Sequence, residues 1–301
     1  MPAFTATLPP YLSETALDDL IARALAEDVG SGDVTSLATV PEGRQAQARF
    51  LSKEDGVLAG LYVAEHVLHA VDPDVRITWS KKDGDPVARD TEFGIVEGRA
   101  RSILTAERLS LNLMQRMSGI ATLTHRMVEA AKPHRARILD TRKTAPGLRP
   151  LDKWAVLLGG GENHRIGLYD MVLIKDNHIT AAGGVRAAIE AAHHYLEATG
   201  LELQIEIEAS TLDQVREVLN RGGVDYILLD NMVRVNERGE TDTTLLREAV
   251  ELVKGQVHTE ASGNVTLETV PAIAATGVDY ISCGALTHSV RALDISLKIR
   301  L

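Results

Sequence analysis

The stretch DTRKTAPGLRPLDKWAVLLGGGENHRIGLYDMVLIKDNH gathers Arg142, Lys143, Arg149, His164, Arg165 and Lys175 among glycines and beside apolar runs. Guanidinium groups clasp carboxylates and phosphates through paired hydrogen bonds, and ammonium groups meet the same partners as point charges. On a solvated surface such cations form salt bridges of little consequence. Here Arg142 and Lys143 directly follow the apolar run ILDT, and the other cations stand at further turns and strand ends. A site for a strongly anionic small molecule is the better reading. His164 is open to two readings, a satisfied loop histidine or a ligand-binding one.

Carboxylates and glycines complete the set. The segment EIE sets Glu206 and Glu208 on one face of a strand, because alternate side chains point the same way. Asp230 closes YILLD. A strand-end carboxylate can ligate a metal, hold ribose hydroxyls, stabilise an oxocarbenium-like carbon, or simply neutralise a nearby Lys. The turns Ser262-Gly263-Asn264 and Cys283-Gly284-Ala285 each follow a predicted strand and precede a predicted helix, where free backbone N–H groups take phosphate. The run Gly159 to Gly161 is sufficiently explained as the end of the helix LDKWAVLL. Cations for carboxylates, turns for a phosphate and acids for a sugar together suit a phosphorylated sugar plus a carboxylated partner.

Two rhythms of sequence must position these groups. In the first hundred residues helices and strands mix irregularly. Ser13 caps a helix running to about Asp28, QAQARFLS alternates like a half-buried strand, and LYVAEHVLHAV reads as a helix. Asp83 to Asp85 mark a turn, and a long helix spans Thr105 to Lys132 with a bend expected at Gly119. Thereafter ARILDT, MVLIKD, LQIEIEA, VDYILLDN, QVHTEASG and VDYISCGA alternate with amphipathic helices. That alternation predicts βαβ units and a parallel sheet, an α/β barrel left incomplete at six strands and one more. Asp140, Lys175, Glu208, Asp230, Glu260 and Ser262 end these strands, the face on which barrels carry their chemistry. RVNERGETDTT reads as an exposed loop.

Composition narrows the class. With 42 Asp and Glu against 32 Lys and Arg, the formal charge of −10 argues against nucleic-acid binding. The single Cys283 excludes an intrachain disulfide and a Cys-based zinc site, and suits a reducing cytoplasm. The opening MPAFTATLPPYLSETALDDL has neither the basic nor the apolar part of a leader peptide, and no apolar run approaches the roughly 20 residues of a membrane span.

The same central stretch, with DGVLAG, ERLSLNLMQRMSGIAT, IEIEAS, ILLDN, EASGN and GVDYISCGALTHSVRALDISL in order, resembles the quinolinate phosphoribosyltransferases (nicotinate-nucleotide pyrophosphorylases, carboxylating) over nearly the whole chain. The resemblance implies an N-terminal α/β sandwich over residues 1–115, joined by 288–301, and an open α/β barrel of about seven strands over 116–287. It implies homodimers, sometimes in larger assemblies, whose active sites are each completed by the partner's N-terminal domain. The implied reaction, a step of NAD biosynthesis, joins quinolinate and phosphoribosyl pyrophosphate, with Mg²⁺, to give nicotinate mononucleotide, pyrophosphate and carbon dioxide. Carried over position by position, Arg142, His164, Arg165 and Lys175 line the quinolinate pocket, Arg108 reaches it from the neighbouring subunit, and Thr141 is a further substrate-binding residue. Lys143, Glu208 and Asp230 are the implied catalytic residues, the first near the sugar pyrophosphate and the acids facing the ribose. The turns Ser262, Gly263, Asn264 and Cys283, Gly284, Ala285 hold the 5-phosphate. Mg²⁺ is implied to travel mainly with the pyrophosphate near Glu208 and Asp230, with no protein ligand set assigned. Cys283 departs from the Val of many relatives and leaves the backbone donors unaffected. The rivals are a nicotinate-using transferase of the same architecture and a non-catalytic phosphate-sugar sensor. The paired acids of Rossmann-like phosphoribosyltransferases are not met, because Asn231 follows Asp230.

Overall fold

A computed structural model describes residues 8–300; residues 1–7, part of the opening expected to carry no leader, and residue 301 lie outside the described residues. The chain forms two compact units, the first from residues 1–125, 144–160 and 289–301, the second from 126–143 and 161–288. The division therefore falls ten residues beyond the expected boundary of 115, and segment 144–160 joins the first unit although it follows the first barrel strand. None of the helices is long and apolar enough to cross a membrane among the described residues.

The first unit begins with α1 (Glu14–Val29), where Ser13 Oγ accepts the Ala16 N–H at 3.2 Å and Leu17, Leu20 and Ile21 form the buried face. α2 (Val34–Thr39) is capped by Asp33. β1 (Gln45–Ser52) buries every second residue from Ala46 onward, as its alternation predicts. β2 (Gly56–Val57), α3 (Leu61–Val71), β3 (Arg76–Trp79), β4 (Pro86–Val87) and β5 (Glu92–Arg99) follow. The predicted turn at Asp83 does more than reverse the chain, since its carboxylate accepts the first-turn N–H groups of Leu61 and Tyr62 and so caps α3. α4 (Ala100–Ala131) is one uninterrupted helix. Gly119 is thus not a bend. A Cβ there would lie 2.3 Å from the Arg291 carbonyl oxygen, so the glycine lets another strand of backbone cross the helix.

In the second unit the expected βα rhythm is realised. β6 (Arg137–Leu139) is followed by α5 (Arg149–Leu158), which belongs to the first unit, then β7 (Val172–Ile174), α6 (Asp176–Ala182) and α7 (Val185–Thr199). β8 (Ile205–Ala209), α8 (Leu212–Arg221) and β9 (Tyr226–Asp230) continue the pattern. The polar loop after β9 contains a small hairpin, β10 (Arg234–Val235) with β11 (Thr241–Asp242), before α9 (Thr244–Val253). β12 (His258–Ser262), α10 (Val270–Ala274), β13 (Tyr280–Ser282) and α11 (Ala285–His288) complete the unit. All six predicted strands pair in one parallel sheet, ordered β6-β13-β12-β9-β8-β7. The seventh is a stub, a single parallel bridge from Glu162 to Leu139 outside β6. β8 is buried along its whole length, as a strand covered on both faces must be.

β14 (Ile295–Arg300) returns to the first unit, pairing antiparallel with β1 in a sheet ordered β14-β1-β5-β3. Phe50, Trp79 and Phe93 stack on one another in that unit.

Candidate active site

The C-terminal ends of the parallel strands surround a cavity of about 280 Å³. Thr141, Arg142 and Lys143 reach it from the turn after β6, Arg165 from beyond the Glu162 stub, and Lys175 from the end of β7. Leu173, Leu228, Glu260, Ser262 and Ser282 form the rest of its wall with His164. Five of the cations noted in sequence therefore converge. Arg149 does not; it lies in the first unit, where its Nε donates to Thr144 Oγ1 at 3.1 Å. Arg142 Nε is buried with no protein partner, an expensive state unless a ligand supplies the acceptor. Burial and repulsion from Arg142 hold the Arg165 guanidinium below its usual range, which places two like charges side by side.

The acids stand on the neighbouring strands. Lys175 Nζ is 3.9 Å from Glu208 Oε2. Burial first, then the Asp230 charge, raises the Glu208 carboxyl above the ordinary range, with Lys175 opposing. Asp230 is likewise raised by burial, against Lys175, a hydrogen bond from Ser262 and the charge of Lys143. In-register pairing of Asp230 with Ser262 brings this acid to the first glycine turn.

The two turns differ more than their sequences suggest. Ser262–Asn264 has left-handed backbone at Gly263 (φ 89°) and Asn264 (φ 54°), but seven residues separate Ser262 from α10, so it does not open a helix as expected. Asn264 Nδ2 instead anchors it on the Val233 carbonyl at 2.9 Å. Cys283–Ala285 does run straight into α11. A Cβ on Gly284 would lie 2.9 Å from Lys143 Cδ, and Thr287 Oγ1 donates to the Lys143 carbonyl at 2.9 Å. The second turn therefore seats Lys143. Cys283 is buried, with Sγ 3.6 Å from the Val265 carbonyl oxygen.

Behind the cations lies a buried polar layer. Asp140 is fully buried and accepts Asn163 Nδ2 at 2.6 Å and the His164 N–H at 2.9 Å. His164 Nε2 lies 2.9 Å from Glu206 Oε2 and 3.3 Å from Glu260 Oε2, and its Nδ1 accepts the Arg165 N–H at 2.7 Å. Both ring nitrogens are engaged within the protein while the side chain also lines the cavity. Burial opposes charging of the imidazole, yet the hydrogen bonds to Glu206 and Glu260 push it up to about 10. Burial and the Glu260 charge push Glu206 up to about 7. Because the Arg165 N–H occupies Nδ1, Nε2 is the ring nitrogen that donates to the carboxylates. The three side chains are close enough to hold a cation. With its proton on Nε2, however, the imidazole donates to the carboxylates and offers no lone pair on that side.

Profiles of two domains match the chain in succession: "Quinolinate phosphoribosyl transferase, N-terminal domain" over residues 33–118 and "Quinolinate phosphoribosyl transferase, C-terminal domain" over residues 120–298. The chain belongs to the quinolinate phosphoribosyltransferase family. It is 54% identical over 297 residues to the nicotinate-nucleotide pyrophosphorylase [carboxylating], chloroplastic, of Arabidopsis thaliana, covering 97% of this chain and 85% of the relative. It is 41% identical over 290 residues to the probable nicotinate-nucleotide pyrophosphorylase [carboxylating] of Bacillus subtilis, covering 96% of each. The crystal structure of NadC from Streptococcus pyogenes superposes with a TM-score of 0.89 at 38% identity, covering 97% of this chain and 99% of that one.

The family's C-terminal domain thus holds every residue that lines the cavity. Arg108, expected from the quinolinate phosphoribosyltransferase resemblance to serve a neighbouring subunit, is exposed on α4 in the first unit. Ser282 and the two leucines had no assigned role in the sequence. Asp140 and Glu260 were read as strand-end residues of the chemical face and Glu206 as the companion of Glu208, but their partners were not legible; their signal was the placement of ionisable groups inside otherwise apolar strands.

Proposed function

We propose that this cavity transfers the phosphoribosyl group of phosphoribosyl pyrophosphate to quinolinate and releases carbon dioxide, forming nicotinate mononucleotide and pyrophosphate. One observation carries the reading: the buried, unpartnered Nε of Arg142 beside Arg165 in a cavity shared with Lys143 and Lys175. Guanidinium groups crowded together call for a ligand with more than one negative charge. A dicarboxylate meets that need, and a monocarboxylate leaves a buried cation short of a partner.

The chemistry follows from charge. Arg142, Arg165 and Lys175 hold the quinolinate carboxylates and turn the pyridine nitrogen towards the ribose. Lys143 stabilises negative charge that gathers on pyrophosphate as its bond to the ribose carbon breaks. Glu208 and Asp230 stabilise the cationic carbon left behind until the nitrogen attacks it. The ring nitrogen, now cationic, accepts the electron pair released when the adjacent carboxylate departs as carbon dioxide, and that ring carbon takes up a proton. The turns at Gly263 and Gly284 serve the 5-phosphate. Mg²⁺ suits Glu208 and Asp230, two oxygen donors whose mutual repulsion leaves them short of positive charge. Mg²⁺ held there would supply charge neutralisation for the leaving pyrophosphate.

The working unit is a homodimer in which Arg108 of the partner subunit completes the quinolinate pocket; exposure of this side chain on α4 supports that reading. A reducing, cytoplasmic setting is supported by a single, buried, free cysteine. The test is incubation with phosphoribosyl pyrophosphate, Mg²⁺ and either quinolinate or nicotinate, with product identified by mass and carbon dioxide counted. Quinolinate is expected to be preferred by about a hundredfold or more, the cost of an unpaired buried cation. Equal specificity constants would sink the assignment.

A further inference from the structure

The cavity wall includes one carboxylate, Glu260, and a second, Glu206, lies directly behind it. Negative charge is a strange foundation for an anion pocket. Both side chains are almost completely buried, and each retains one oxygen, Oε1, with no hydrogen-bond partner. If these positions served only to fill the barrel, apolar side chains of similar volume would do so at least as well. Their arrangement accomplishes something else.

We infer that Glu206 and Glu260 are positioning residues for the quinolinate pocket, a buried clamp on His164 that fixes the backbone from which Arg165 enters the cavity. The inference rests on the proposed function. The two acids come from β8 and β12, strands separated by β9, and converge on the single nitrogen Nε2. The opposite nitrogen, Nδ1, accepts the Arg165 N–H at 2.7 Å, and Asp140 accepts the N–H of His164 itself at 2.9 Å. Two consecutive backbone N–H groups are thereby pinned, one directly and one through the ring. The guanidinium beyond is steered by a bond from Arg165 Nη1 to the Met171 carbonyl at 3.1 Å. Such holding opposes the repulsion between the neighbouring Arg142 and Arg165 guanidinium groups. The clamp keeps the pocket cationic before quinolinate arrives, and its role is to accept a hydrogen bond in a fixed place.

The test compares Glu206→Leu and Glu260→Leu with the corresponding Gln variants in the full chain, with folding checked by thermal melting. Each Leu variant removes one of the two acceptors of the Nε2–H, and the double variant Glu206→Leu/Glu260→Leu removes both. Each is expected to raise the KM for quinolinate about tenfold to a hundredfold, with kcat at saturation and the KM for phosphoribosyl pyrophosphate changed far less. Gln, whose amide oxygen still accepts the bond, is expected to recover most of the loss. Leu variants that match wild type, equal damage to both substrates, or Gln variants as poor as Leu would each overturn the clamp. If a Leu variant fails to fold, nitrogen NMR of His164 in the wild-type protein decides: a proton on Nε2 alone supports the clamp, and a proton on Nδ1 overturns it. Wild-type protein that does not turn over quinolinate condemns the proposed function instead.

Discussion

Asp152 in the first unit and Glu206 in the second are both wholly buried, and the protein treats them in opposite ways. Asp152 receives Arg116 Nε and Nη2 on its two oxygens at 2.7 and 2.8 Å, and a further bond from the Ala145 N–H at 3.1 Å. Asp72, also of the first unit, is held in the same two-pronged manner by Arg99, which keeps it below the usual carboxylate range. Glu206, Glu260, Glu208 and Asp230 in the second unit have no two-pronged guanidinium partner. Glu206 and Glu260 share one imidazole, Glu208 repels Asp230, and nearby cations face the cavity. Fully met carboxylates build architecture. Carboxylates left wanting, beside cations also left wanting, mark where a ligand completes the electrostatics.

That contrast can be broken most forcefully at Glu208. Glu208→Gln keeps the shape but removes the charge proposed to face the ribose, and kcat is expected to fall by about two to three orders of magnitude, with quinolinate affinity by calorimetry nearly unchanged. Collapse of affinity with kcat preserved would move Glu208 out of its proposed role. A second test addresses the proposed homodimer. Arg108→Ala and Lys175→Ala homodimers are each expected to be nearly inactive. After mixing in equal amounts and refolding, half the dimers are mixed, and about a quarter of all sites recover. Verified mixed dimers without recovery would show that Arg108 does not serve the partner's site.

On the architectural side, Arg116→Met leaves Asp152 buried without its cation. A loss of about 3–5 kcal/mol in urea unfolding is expected, far more than for an exposed pair such as Arg49–Glu92. The smallest effect belongs to Asp83, whose carboxyl burial pushes up to about 6 from 3.8. Between those values the folded protein keeps a proton that the unfolded chain has lost. Its contribution is complete below the lower value and is lost as pH rises through the upper one. Stability should therefore decline by about 3 kcal/mol between roughly pH 4 and pH 6 on this account, and Asp83→Asn should flatten the decline.

What sequence revealed follows from range. The βα rhythm, the Ser13 cap and the alternation of β1 are local, and they fold as read. The cations clustered because turns at one end of a parallel sheet must converge. Gly119 was misread as a bend because the cause of a glycine there, the backbone at Arg291, is distant in sequence. The assignment of segment 144–160 to the first unit was hidden for the same reason: Ala145 and Arg116 meet only through Asp152. The two readings of His164 could not be separated until Glu206 and Glu260, from different strands, were brought to one nitrogen.

β14 gives the molecule a schedule. It lies beside β1 at one edge of the first unit's sheet, yet it follows all six strands of the parallel sheet along the chain. During synthesis the ribosome delivers the entire barrel before the strand that covers β1. Until then β1 has an open edge, a template for pairing with the wrong chain. A stalled or clipped product that loses residues 295–300 would therefore leave its defect in the first unit, far upstream of the break, and a nascent barrel is made while that unit still waits for its final strand.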